Sequence, residues 1–262
     1  MFSLQNPEVI GTLLVVFMAI GMMVAMDLGR LLGRRERRFD PKGERAGLGA
    51  LEGVVFALLG LIVAFTFSGS AERFDRRRTL VTVEVNSIGT AWLRLDLLPK
   101  DAQPAIRELF RNYVDTRLAV YRALPDIETA QGHVNSAQQQ QQAIWSAAIA
   151  AAARSESQAA TMLLLPALND MFDICTERSS ATMHHTPMII YGLLVALAIG
   201  AALLAGYGMA GNRTPHWLHR IAFVAVVSAT VYVIVDVEYP RLGLIRVDAV
   251  DQLMIDLRQS MN

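Results

Sequence analysis

A chain of 262 residues in which 53% are hydrophobic and 24 acidic side chains balance 24 basic ones is compatible with one large soluble domain, so composition alone assigns no class. Its exclusions are narrower: the single cysteine, Cys175, rules out an intramolecular disulfide and any multi-cysteine metal centre. Lys42 and Lys100 are the only lysines beside many arginines, and with the abundant alanine this suggests a GC-rich bacterial genome and a bacterial inner membrane.

Periodicity assigns the class. Apolar runs cover Val9 to Met26, Gly47 to Ser68, Met188 to Met209 and Ile221 to Val235, each far longer than a buried strand and without a polar helical face. At ~1.5 Å per residue, ~20 residues cross ~30 Å of hydrocarbon. Four membrane helices are therefore expected, at about 9–26, 47–68, 188–209 and 221–237. The last is short, but Trp217, Tyr232 and Tyr239 are interface residues and Arg220 can snorkel. The first is expected to be a span and not a cleaved signal, because MFSLQNPE carries no basic residue and the apolar run exceeds the usual h-region.

After the first span comes GRLLGRRERRFDPKGER, an arginine-rich loop that favours the cytoplasm. The remaining basic residues near the membrane ends almost offset it, so charge favours a periplasmic central body only by a small margin. The second span runs without a proline into Ala71-Glu72-Arg73-Phe74-Asp75-Arg76-Arg77-Arg78, a charged helix expected to continue to Leu98. A second body helix begins near Asp101 and carries Ile106, Leu109, Phe110, Tyr113, Leu118 and Tyr121 on one face before Leu124-Pro125. A third covers Glu128 to Arg154, with Gln138 to Gln142 read as a solvated face. A fourth starts at the capping box Ser155–Gln158, where Pro166 either kinks it or marks its true start.

In the third span Gly192, Ala196 and Gly200 form one small-residue row, and Ala198, Ala202 and Gly206 another, either of which permits close helix contact in lipid. The short loop GNRTPHWLHR makes spans three and four an antiparallel hairpin. The tail ends in an amphipathic helix with Val250, Leu253, Met254 and Leu257, on the same side as the body. The expected fold is all-α: a transmembrane hairpin at 1–70, an extramembrane helical bundle at 71–187 between spans two and three, a second hairpin at 188–237, and an amphipathic tail at 238–262.

Two sets of residues are candidates for chemistry. Glu52, Phe56, Val63 and Phe67 recur at steps of four, seven and four and share a helical face. In a ring of such helices they would form a hydrophobic constriction with an acidic mouth; within one subunit they would be ordinary core residues. Arg73 and Arg77, with Glu84 and the acids Asp236 and Glu238, form a candidate charge network, read as structural ion pairs or contact with anionic lipid. Enzyme signals are weak: His216 and His219 lack an HExxH glutamate, no phosphate-binding loop surrounds Gly89, and no catalytic triad order stands out. No cofactor, metal or nucleic acid is expected.

The segments ALLGLIVAFTFSGSAERFDRRR, EVNSIGTAWLRLDLLP, LLPALNDMFDICTER and VDVEYPRLGLIRVD together resemble a bacterial membrane family of unknown function described as bestrophin-like. The family's distant likeness to bestrophin anion channels implies a pentameric channel whose second helix lines a hydrophobic neck, with a cytosolic helical body. It would place Phe56, Val63 and Phe67 at the neck and Arg73 to Arg78 in the arginine segment beyond it. The acidic calcium-clasp run is missing, so calcium gating is not implied. The expected function is an oligomeric ion channel; the alternative is a non-conducting scaffold whose helical body binds a protein partner. Membrane lipids and further copies of the chain are the expected partners.

Overall fold

The structure is a computed structural model and describes residues 7–39, 48–155, 158–211, 217–239, 245 and 248–262. Arg45, Gly47, Arg213, His216, the Glu156-Ser157 part of the capping box and the 240–243 turn lie outside the described residues. Among those described, the fold is all-α with no strand: α1 (Pro7–Phe39), α2 (Leu48–Arg94), α3 (Gln103–Arg122), α4 (Ile127–Ala152), α5 (Leu165–Met183), α6 (Met188–Gly208), α7 (Trp217–Glu238) and α8 (Asp248–Ser260). Among the described residues four helices are long and apolar enough to cross a membrane. The chain divides into two compact units, Met1–Glu72 with His185–Leu244, and Arg73–His184 with Ile245–Asn262.

The first unit is the membrane unit. Glycine contacts fix the direction of each helix. On α1, Gly21 faces Ile199, Gly29 lies against the Leu203 carbonyl and Gly33 against Tyr207, so α1 and α6 run parallel. Gly11 faces Val235, and Arg220 pairs with Asp27 at 2.6 Å, so α7 runs antiparallel to α1. Four successive crossings require this alternation. Gly29 and Gly33 of α1 and Gly206 of α6, which meets the Met26 carbonyl, let the two backbones approach where no side chain would fit.

Of the two small-residue rows on α6, Ala198, Ala202 and Gly206 is the buried one, whereas a side chain at Gly192 or Gly200 would meet open space. The loop between α6 and α7 lies largely outside the described residues, and α1 is the helix on which both α6 and α7 pack. Met18, Met22 and Met26 of α1, Leu59 of α2, Ala201 of α6 and Val224 and Val231 of α7 form the core of this unit.

The second unit is a helical body. Its core joins Ile88 of α2, Leu95 in the 3-10 turn just beyond α2, Phe110 and Tyr113 of α3, Ile144 of α4 and Leu168 and Met171 of α5, all of them fully buried. The stripe expected on α3 is the face that packs: Ile106, Phe110 and Tyr113 are inside, and Leu109 and Leu118 lie against them. α4 begins where Asp126 caps it, its Oδ1 accepting the Thr129 N–H at 3.1 Å and its Oδ2 the Thr129 hydroxyl at 2.6 Å. The glutamine run is only partly a solvated face, because Gln140 donates to Thr116 at 3.0 Å and Gln141 to the Tyr113 hydroxyl at 3.2 Å.

Pro166 marks the true start of a helix: α5 opens at Leu165, where a proline in the first turn forfeits no hydrogen bond, and a π-helical turn at Ala160–Leu164 precedes it. The tail helix α8 packs on the body through Met254 and Leu257, with Met261 buried beyond its end. Arg258 holds it by two bonds to Asp115, at 2.9 and 3.0 Å.

Candidate functional site

Within the membrane unit α2 has two distinct faces. Glu52 is half-buried against α6, so that a Cβ at Gly208 would lie 3.3 Å from each of its carboxylate oxygens. Phe56 meets Phe223 of α7 edge-on, with ring centres 5.9 Å apart. Leu59 is buried, and Val63 packs on the membrane core. Phe67 is 44% exposed. The face that the sequence suggests for a ring lining is therefore, at Glu52, Phe56 and Val63, the face that packs within the subunit.

The opposite face of α2 is bare. Leu51, Val54, Leu58, Leu61 and Phe65 are each between 43% and 66% exposed and follow one another at steps of three and four, which puts them on one line along the helix. The line continues through Ser68 to Glu72, both exposed, so an apolar stripe ends in a hydroxyl and a carboxylate. Steps counted from Leu51 instead of Glu52 select this stripe. The sequence offered no means of choosing between the two faces, because both are apolar.

In the body, Glu84 is fully buried between Arg117 Nε at 2.6 Å and Arg178 Nη1 at 2.5 Å. Arg178 also reaches the tail's Asp251 at 3.3 Å and stacks on Tyr121, 3.9 Å from the ring centre, while Arg117 Nη2 donates to the Tyr121 hydroxyl at 2.8 Å. Burial by itself would raise the Glu84 carboxyl, but the two guanidiniums outweigh it and hold the group below the usual carboxylate range. In the chain, Glu84 lies well beyond Ser68, outside the apolar run.

Arg117 is the functional-looking residue that reading the sequence missed. A signal for it existed: it occupies a stripe position of α3 between Tyr113 and Tyr121, where an apolar residue would ordinarily stand. Arg77 donates from Nε to the Ala181 carbonyl at 3.1 Å and from Nη2 to the His184 carbonyl at 2.8 Å, satisfying acceptors at the end of α5. Arg73 is half-buried on α2.

In the membrane unit Glu238 is fully buried and accepts from the Ser70 hydroxyl at 2.8 Å, the Thr186 N–H at 3.1 Å and the Thr186 hydroxyl at 3.2 Å. His185 Nδ1 stands 3.5 Å from the same carboxylate, with its ring stacked on Tyr239. Asp236, two residues earlier on α7, is also buried. Among the described residues no three metal-ligating side chains converge. These centres fasten helices to one another.

The comparisons with known proteins agree with this architecture. No curated protein sequence matches the chain significantly. Crystal structures of a bacterial bestrophin homologue from Klebsiella pneumoniae do match in fold. One, of a point variant, has a TM-score of 0.64 at 12% identity and covers 96% of this chain and 98% of that one. Another has a TM-score of 0.61 at 13% identity, covering 95% and 98%. At such identities the likeness is one of fold, but the sequence profile of the bestrophin-like domain also matches residues 12–251. The chain therefore belongs to the bestrophin-like family of membrane proteins.

Proposed function

We propose that the chain is one subunit of a homo-oligomeric ion channel of a bacterial inner membrane, with α2 lining the conduction path. The observation that carries this reading is the bare stripe of Leu51, Val54, Leu58, Leu61 and Phe65 on a helix whose other side packs within the subunit at Phe56, Leu59 and Val63. Copies of α2 arranged round an axis with this stripe inward form a ring of leucine and phenylalanine. An ion there gives up hydration without polar compensation, so the ring is a dewetting barrier. Glu72, beyond the apolar stretch, supplies a carboxylate at one mouth. A pentamer is the assembly that fits the family resemblance.

The stripe also distinguishes this reading from a non-conducting scaffold. Reconstituted in planar bilayers, Leu61→Ala and Phe65→Ala widen the ring and raise conductance above that of the unaltered chain. In a scaffold the same changes only shorten lipid-facing side chains and leave the bilayer silent. Silent bilayers for all three correctly assembled proteins overturn the channel and favour the scaffold.

A further inference from the structure

We propose that the C-terminal two-thirds of α1 is a docking site for a phospholipid with an anionic headgroup. The carrying observation is a second bare line in the membrane unit. Phe17, Ile20, Val24, Leu28 and Leu31 of α1 are each at least half exposed and follow at steps of three and four. Continued by four and three, the same line reaches Arg35 and Arg38, with Arg34 beside them, and all three side chains are exposed. None of the three has an ion-pair partner among the described residues.

This geometry matches one chemical class. From Phe17 to Leu31 the line is about 21 Å long at 1.5 Å per residue, on the scale of acyl chains laid along a helix. The guanidiniums follow within two further turns. Each offers a planar pair of donors suited to phosphate oxygens. The Asp27–Arg220 pair sets the start of α7 beside this stretch, and there Trp217 is 65% exposed, an indole placed as in an interfacial belt. A free phosphate would use the arginines but not the leucines leading to them. A lipid uses both.

The site is tested on the purified full-length chain in neutral detergent, by its melting temperature and by mass spectrometry of retained lipid, with phosphatidylglycerol or phosphatidylcholine added at equal mole fraction. The unaltered chain is stabilised by phosphatidylglycerol and retains it in preference. In Arg35→Gln/Arg38→Gln that preference falls on the order of thirtyfold, from the attraction each cation adds at an anionic surface. Arg34→Gln alone shifts it in the same direction by less. Lys100→Gln/Arg122→Gln, which removes the same charge from the body, leaves it unchanged. An unaltered preference in the Arg35/Arg38 variant, an equal loss in the body variant, or equal stabilisation by inorganic phosphate would each overturn the assignment.

Discussion

Arg117 Nε lies 2.6 Å from Glu84 Oε1, and both side chains are completely removed from solvent. The pair joins α2 to α3, and the second oxygen of the same carboxylate joins α2 to α5 through Arg178. Removing one of the two guanidiniums leaves a carboxylate oxygen without its partner in the buried interior, and breaking such a buried pair costs about 3–5 kcal/mol. Arg117→Met should therefore lower the melting temperature of the detergent-solubilised chain sharply, whereas Gln139→Ala on the exposed face of α4 should shift stability by less than ~0.5 kcal/mol.

The same carboxylate gives the body an acid limit. Its folded pKa lies below the ordinary value, so its contribution is full above the unfolded glutamate pKa of about 4.3 and is lost as pH falls through the folded pKa. Melting curves of the unaltered chain and of Glu84→Gln should differ most at neutral pH and converge below about pH 4. A difference that stays constant from pH 7 to pH 3 would mean that the carboxylate is not the group that matters.

The sequence made the four crossings, the body helices and the packed α3 face legible, because each rests on an apolar pattern long enough to specify a period. Its silence on partner choice has physical causes. Glu84 could be seen as a carboxylate seven residues beyond Arg77, yet its partners come from α3 and α5, and no local spacing reports which distant helix supplies a counter-charge. The two faces of α2 posed a similar problem. An apolar helix in lipid has no polar side to mark its exposed face, so the packed line through Phe56 and Val63 and the bare line through Leu58 and Leu61 read alike. Small residues were visible on α6, but Gly29 and Gly33 of α1, which lie against the Leu203 and Tyr207 backbone of that helix, stand at the edge of an arginine-rich segment where a loop was expected. There α1 continues as helix to Phe39.

Those glycines give a packing test. A methyl group at Gly29 would collide with the Leu203 carbonyl, and one at Gly206 with the Met26 carbonyl, and neither backbone can rotate away as a side chain could. Gly29→Ala and Gly206→Ala should each destabilise the membrane unit by roughly 1–3 kcal/mol, seen as a lower melting temperature and a smaller monodisperse fraction. Gly192→Ala and Gly200→Ala, which meet open space within the subunit, should leave both readouts unchanged. If all four behaved alike, the parallel contact of α1 with α6 would not be the one that holds the bundle.

The last test separates the two faces of α2 by charge. Glu72 ends the bare line and is exposed, whereas Glu52 lies half-buried against Gly208 on the other side of the helix. A carboxylate at the mouth of a narrow path concentrates cations and repels anions, and a ring of them multiplies the field. Glu72→Gln should therefore shift the reversal potential in a salt gradient toward the anion equilibrium potential. Glu52→Gln, removed from the path by the thickness of α2, should leave the reversal potential where it was and act, if at all, on stability. The converse result, a shift with Glu52→Gln and none with Glu72→Gln, would place the face of Phe56 and Val63 on the axis and require the subunit to open between α2 and its neighbours α6 and α7.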